Sequence, residues 1–223
     1  MNLKENTTCV FQQVADAVQG AGREKGSVSV VAVTKYVDVA TALTLVLQGA
    51  HHIGENRVDK FLEKYEALKD QDVTWHLIGT LQRRKVKEVI SYVDYFHALD
   101  SYKLAQEIQK RTDHKIKCFL QVNISQEETK HGFSKEELLS LLPELSKLDR
   151  IEYVGLMTMA PIDATSQELK EIFQEAQELQ IHIQKKHLPN MPMTELSMGM
   201  SRDYKEAIQC GSTFVRIGTA FFK

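Results

Sequence analysis

The sequence predicts a (β/α)₈ barrel, and three observations predict it. Short apolar, β-branched runs alternate with helical patterns from one end of the chain to the other. Runs such as VVAVT and FVRI are apolar on both faces, as a parallel sheet covered on both sides requires. The 223 residues also suit eight closed βα units, for which about 200–250 residues is usual. An open doubly wound sheet is the alternative, and the evenness of the units favours the barrel.

The first element is a helix, because Val10, Val14, Ala17 and Val18 recur at helical spacing ahead of any strand. Strands are expected at Val28–Thr34, Ala50–Gly54, Thr74–Gly79, Tyr95–Leu99, Ile116–Asn123, Tyr153–Met159, Thr194–Met198 and Thr213–Ile217. Between them, helical periodicity covers Val39–Gln48, Val58–Leu68, Tyr102–Lys110, Lys135–Leu148, Gln167–Lys185 and Arg202–Gln209, and the charged stretch Leu81–Ile90 reads as a further helix. The chain stops five residues after Gly218, leaving no helix after the last strand. The N-terminal helix is therefore predicted to fill that place and close the outer ring. With four prolines, no low-complexity stretch and no long charge block, a single domain over residues 1–223 is expected.

Composition narrows the function classes. A formal net charge of −2 gives no bulk attraction to nucleic acid or to an anionic membrane. The three cysteines, Cys9, Cys118 and Cys210, are far apart, and no CxxC pair suggests a disulfide framework or a thiolate zinc site. The opening MNLKENTTCV lacks the apolar core of a signal peptide, and no apolar run approaches membrane-spanning length. A cytoplasmic protein is expected.

Barrels of this class carry their sites at the carboxyl ends of the strands. Taken in turn, those ends present Lys35, then Gly54-Glu55-Asn56, then Gly79-Thr80 with His76 inside the strand. Asp100-Ser101, Asn123 and Met157-Thr158-Met159 follow, and the last two ends give Ser197-Met198-Gly199-Met200-Ser201 and Arg216-Ile217-Gly218-Thr219. In LSMGMSRDYKEA, Gly199 permits close backbone approach and Ser201 stands where a helix N-cap belongs, which would make an anion site suited to phosphate. Gly218 and Thr219 add a bare amide and a hydroxyl. A capped helix and a plain glycine turn are the alternative for these loops.

Lys35 ends an apolar strand with no carboxylate in the stretch before it. A buried, unpartnered ammonium is costly, so the lysine either reaches water or serves as an amine. A phosphate on one side of the mouth and a lone lysine on the other suggest a phosphorylated aldehyde bound as a Schiff base. Arg216, two residues before Gly218, is expected to point at the ligand. Against a pyridine nitrogen it would donate a hydrogen bond and keep that nitrogen unprotonated, which weakens the ring as an electron sink. Pairing of Arg216 with Asp203 or Glu195 inside the barrel is the alternative.

The segments VAVTKYVD, HIGENRVDK, WHLIGTLQRRKVK, HALDS, QVNISQEETKHGF, GLMTMAP and LSMGMSRDYKEAIQCGSTFVRIGTAFF resemble the pyridoxal-5′-phosphate homeostasis protein family, in the family's order, over residues 28–222. That family is similar in fold to the barrel domain of alanine racemase. The resemblance implies pyridoxal phosphate held covalently by Lys35, phosphate contacts from Ser201 and Gly218-Thr219, and Arg216 against the pyridine nitrogen. Asn56 and Met200 are implied as further neighbours of the cofactor. The chain departs from the family where Thr80 stands for a more frequent histidine or proline, where Arg84 stands for asparagine, and in its FFK ending.

A racemase of this fold needs a second domain supplying a tyrosine base across a dimer interface, and the chain ends at its last barrel strand. Tyr36 and Tyr204 lie near the rim, but racemisation needs an acid or base on each face of the ring. The implied function is therefore non-enzymatic: binding pyridoxal phosphate, limiting the free aldehyde and handing it to apo-enzymes, as a monomer. A barrel-only amino-acid racemase is the alternative. The basic segment Gln82–Val89 could contact RNA, but no aromatic platform is interleaved with it, so it reads as a solvated face. His51-His52 lacks the partners of a metal site, because Gly54 is read as a turn that redirects Glu55. Met157, Met159, Met191, Met193, Met198 and Met200 read as adaptable packing around a planar ring, and Cys210 as a helix end before Gly211.

Overall fold

Apolar runs of four to seven residues become strands here because both of their faces are covered, by helices outside and by a packed interior within. The computed structural model describes residues 2–125, 127 and 131–223. Among them, eight parallel strands close into a barrel in chain order: β1 (Ser29–Val33), β2 (His52–Glu55), β3 (Thr74–Leu77), β4 (Tyr95–Leu99), β5 (Ile116–Gln121), β6 (Ile151–Met157), β7 (Glu195–Met200) and β8 (Phe214–Ile217). Closure is made by β1 pairing with β8, with Val31 opposite Arg216 and Ala32 opposite Ile217. The predicted barrel is the observed one. Gln126 and Glu128 to Lys130 of the QVNISQEETKHGF motif lie outside the described residues.

The outer ring opens with α1 (Leu3–Gly20), started by a capping box in which the Asn2 side chain takes the Glu5 N–H and Glu5 takes the Asn2 N–H. It buries Val10, Val14 and Val18 and packs against α2 (Val39–Leu47), α8 (Tyr204–Gln209) and α9 (Thr219–Phe222). The N-terminal helix thus closes the ring, as its pattern predicts. The last strand is nevertheless followed by a helix, the single turn α9. Asn6 Nδ2 ties it under α1 by donating to Phe221 O at 3.0 Å and to Lys223 O at 2.8 Å.

The remaining helices are α3 (Val58–Leu68), α4 (Val86–Val89), α5 (Tyr102–Arg111), α6 (Lys135–Leu145) and α7 (Ser166–Gln184). One expected element is broken. Leu81–Ile90 forms a 3₁₀ turn at Arg83–Lys85, the four-residue α4, and a second 3₁₀ turn at Ile90–Tyr92. Val86, Val89 and Ile90 keep helical spacing and form the buried face of the short α4, whereas Gln82–Lys85 between Leu81 and Val86 buries nothing to extend that face.

The barrel interior is aromatic where bulky aliphatic layers are the usual filling. His52, His76, Tyr95, His97, Phe119 and Phe214 form a mutually packed set, with the His97 and Phe119 rings 4.5 Å apart and the His76 and Tyr95 rings stacked at 4.9 Å. Gly54 is a strand residue and no turn: a Cβ there would lie 2.7 Å from Val31 Cγ1. Alternation along β2 then sends Glu55 outward, away from the mouth and under α3.

Candidate functional site

The two last strands bring together the loop residues that the sequence pairs. Gly199 ends the straight part of β7 with a φ of 90°, and α8 crosses it so closely that a Cβ would lie 2.6 Å from Ala207 Cβ. That turn delivers Ser201, half-buried, to the end of β8. There the Ser201 hydroxyl accepts the Gly218 N–H at 3.4 Å and the Thr219 hydroxyl at 3.3 Å. Gly218 itself sits against β1, where a Cβ would come within 3.3 Å of Val33 O. One amide and two hydroxyls converge on one spot of the rim.

Ser201 reaches that spot by a different route from the expected one. It is no N-cap: α8 begins at Tyr204, and Asp203 is its half-in residue. The Asp203 carboxylate accepts the Met200 N–H at 2.6 Å and so holds the turn itself. Burial raises its pKa from the ordinary aspartate value. The physical reason is the chain reversal at Gly199, which occupies the residues that would otherwise have formed the first turn of helix.

Arg216 is 5% exposed and bonded entirely into the barrel. Nη1 donates to Ser197 O at 2.7 Å and Ser197 Oγ at 2.6 Å, and Nη2 donates to Thr158 O at 3.0 Å. Burial pushes its pKa down to about 10, which leaves it a cation at neutral pH. Neither alternative carboxylate pairs with it: Asp203 holds Met200, and Glu195 Oε1 accepts from the Thr194 hydroxyl.

Lys35 lies in the turn after β1, one residue beyond the buried Thr34, and its side chain is exposed. Its ammonium stands 4.8 Å from the centre of the Tyr36 ring. Of the two outcomes left open by the apolar run before it, Lys35 takes the one in which the lysine reaches water. The buried lysine is Lys64, 1% exposed, which donates to Thr34 O at 2.8 Å and to Glu55 Oε1 at 2.5 Å. Glu55 is fully buried and also accepts the Thr34 hydroxyl at 2.6 Å. This packed triad anchors the backbone on which Lys35 is carried.

Asn56 and Met200 are exposed at the ends of β2 and β7. Among the described residues, no hydrogen bond or ion pair joins Lys35, Asn56 or the Met200 side chain to the Ser201–Gly218–Thr219 cluster. Of the two tyrosines expected near the rim, Tyr36 is 83% exposed beside Lys35, whereas Tyr204 is buried and donates to Gln13 of α1. Met157, Met191, Met193 and Met198 belong to the core, and only Met159 and Met200 are open at the rim. Cys210 does end α8 as expected, its thiol pKa raised by burial.

Sequence reasoning missed the polar residues inside the barrel. His52 and His51 diverge, His51 outward to Asp72 and His52 inward to His76. His76 reaches His97, and His97 reaches Ser197 beside Arg216. A usable signal was present: three successive strands, β2 to β4, each carry a histidine in an apolar run, and a buried imidazole needs a partner.

Residues 12–223 match the family model described as alanine racemase, N-terminal domain. The chain is 37% identical over 225 residues to a pyridoxal phosphate homeostasis protein of Aquifex aeolicus, covering 100% of this chain and 98% of the relative. A protein of Bifidobacterium adolescentis, described as unknown, superposes with a TM-score of 0.94 at 32% identity, over 99% of this chain and 94% of its own. The structure of PipY from Synechococcus elongatus, described with PLP bound, has a TM-score of 0.84 at 32% identity, over 94% of this chain and 100% of its own.

Proposed function

The chain belongs to the pyridoxal phosphate homeostasis family of alanine racemase N-terminal-domain barrels, and we propose on that premise that it binds pyridoxal 5′-phosphate covalently through Lys35 and acts as a carrier without catalysis of its own. The observation that carries this reading is the convergence of the Ser201 and Thr219 hydroxyls with the Gly218 N–H at the ends of β7 and β8, the second of which adjoins the strand that presents Lys35. Amide and hydroxyl donors around a glycine are what a phosphate ester needs.

The residues present fit the cofactor. Ser201, Gly218 and Thr219 would hold its phosphate, Lys35 would supply the amine, and Arg216 would face the pyridine nitrogen, with Asn56 and Met200 lining the ring. When bound, the cofactor supplies an electrophilic aldehyde. An exposed Lys35 suits reversible capture better than turnover, because its amine is reachable from outside the barrel. Arg216 is a cation and can only donate, so it would leave the ring nitrogen unprotonated and the ring a poor electron sink. The protein would act in the cytoplasm as a monomer, buffering the aldehyde and passing it to apo-enzymes that use it.

The test is an absorbance spectrum of protein loaded with pyridoxal phosphate, with and without borohydride, for wild type and Lys35→Ala. A visible band that borohydride bleaches in the wild type, with the cofactor's mass retained on the chain, is expected; the variant should lack both. Absence of the band from the wild type would overturn the role of Lys35. Lys35-dependent racemisation of alanine would overturn the non-catalytic assignment instead.

A further inference from the structure

Three imidazoles cross the barrel in a line that ends at Arg216. His52 Nδ1 lies 2.9 Å from His76 Nε2, and His76 Nδ1 lies 2.8 Å from His97 Nε2. His97 Nδ1 lies 2.8 Å from Ser197 Oγ, the same oxygen that accepts Arg216 Nη1 at 2.6 Å. Five strands supply the five members. His76, His97 and Ser197 are fully buried, whereas His52, at the amino end of β2 and so on the floor of the barrel, is half-buried.

The geometry restricts the protons. A neutral imidazole has one N–H and one lone pair, and each nitrogen–nitrogen contact needs one of each. His76 therefore fixes both neighbours, and only two arrangements satisfy the line. In the first, every imidazole carries its proton on Nε2: Ser197 donates its hydroxyl to His97, His97 donates to His76, and His76 donates to His52. In the second, every proton is on Nδ1 and all donors point from His52 toward Ser197. A cationic His52 has a proton on Nδ1 and is compatible only with the second.

The two arrangements treat Arg216 differently. In the first, Ser197 Oγ accepts from Arg216 and donates to His97, so its single proton has a partner. In the second, the same oxygen accepts from both His97 and Arg216, and the buried hydroxyl proton must find another acceptor. The proton balance closes: the first arrangement plus one solvent proton equals the second with His52 cationic. In net terms every hydrogen bond of the line reverses, His52 carries the added proton, and Ser197 keeps its hydroxyl.

We propose that His52, His76, His97 and Ser197 form a relay of single polarity that positions Arg216 and makes its hold depend on the protonation of His52 at the floor of the barrel. The consequence for bound cofactor rests on the placement of Arg216 proposed above; the relay itself does not. Burial and the neighbouring imidazoles keep His76 and His97 neutral, their pKa values well below the ordinary one. Around His52, burial and His51 oppose protonation and Asp94 favours it. Tyr95 stacks on His76 and takes the Lys117 ammonium at 3.2 Å, with Glu152 and Asp94 facing that lysine. At the other end Arg216 faces His97, and Asp203 faces Arg216.

The experiment is long-range ¹H–¹⁵N spectroscopy of the histidine rings in the full-length protein without cofactor. At neutral pH both His76 and His97 are expected neutral and Nε2-protonated. As pH falls, both should shift to the Nδ1-protonated form together, with the midpoint at which His52 titrates. In His52→Phe, with the fold verified from the amide spectrum, that shared response should be lost. Opposite tautomers for His76 and His97, or a His97 signal indifferent to His52 titration, would overturn the relay. With pyridoxal phosphate added, the pH dependence of its absorbance should follow His52 and vanish in His52→Phe. A coupled pair of tautomers beside an indifferent chromophore would uphold the relay and reject the placement of Arg216 against the ring.

Discussion

The polar groups of the mouth and those of the interior are built on opposite terms. In three interior clusters the distances are short: 2.8 to 2.9 Å along the imidazoles, 2.6 to 3.0 Å around Arg216, and 2.5 to 2.8 Å in the Thr34–Glu55–Lys64 triad. At the mouth, Ser201, Gly218 and Thr219 meet at 3.3 to 3.4 Å, and Lys35 stands in solvent. The two lysines beside Thr34 put the contrast most sharply. Lys64 is buried and has its partners, so its role is structural. Lys35 is exposed and without a charge partner among the described residues, so it is free for chemistry. Buried polar groups must satisfy one another; loosely mated ones at a rim can exchange each other for a ligand at little cost.

The contrast can be broken most strongly at the triad. Glu55→Ala leaves the Lys64 ammonium buried with only the Thr34 carbonyl as a partner, and removing one partner of a buried ion pair costs about 3–5 kcal/mol. A urea midpoint unchanged from wild type would mean that Lys64 escapes to water and the triad is not structural.

The next effect comes from the imidazoles. His76 and His97 have folded pKa values depressed by burial, so their stability contribution is full above the unfolded value of about 6.5 and falls away below it. In that range the unfolded state binds protons that the folded state refuses. Two such groups give a loss approaching about 2.7 kcal/mol per pH unit. Denaturation midpoints measured across falling pH check this, and His76→Gln should reduce the slope.

Gly199→Ala should cost about 1–3 kcal/mol, since φ is 90° there and the new Cβ meets Ala207. Its signature is a lowered midpoint together with weaker retention of phosphate-bearing ligands, measured by calorimetry. The smallest effects on stability belong to the mouth itself. Lys35→Ala and Ser201→Ala should each stay within about 0.5 kcal/mol of wild type, while the first abolishes the borohydride-stable adduct and the second weakens cofactor binding about tenfold, the worth of one hydrogen bond to a charged group. A large loss of stability in either variant would erase the distinction between mouth and interior.

Much of the architecture was legible because it depends on periodicity alone. The barrel, the ring-closing role of α1 and the strand cores at Tyr95–Leu99 and Phe214–Ile217 all follow from apolar patterns that are local in sequence. The pairing of the Ser201 loop with Gly218-Thr219 was legible as well, since β7 and β8 are neighbours in any barrel of this order. The misreadings share a cause. Ser201 as a helix cap and Gly54 as a turn each assign a local conformation that a packed neighbour overrides, α8 over Gly199 and Val31 against Gly54, while Leu81–Ile90 as one helix overlooks that Gln82–Lys85 has no apolar residue to bury.

By itself, then, the sequence determined the alternation of strands and helices, their parallel order and the set of small polar residues at the strand ends. It did so because hydrophobic period and turn chemistry act over a few residues. Only the tertiary structure decided which lysine is buried, that Glu55 belongs behind the sheet, and that His52, His76 and His97 touch. Those outcomes depend on which way each strand residue faces and on register around a closed barrel, where residues 100 positions apart, such as His97 and Ser197, share one hydrogen bond.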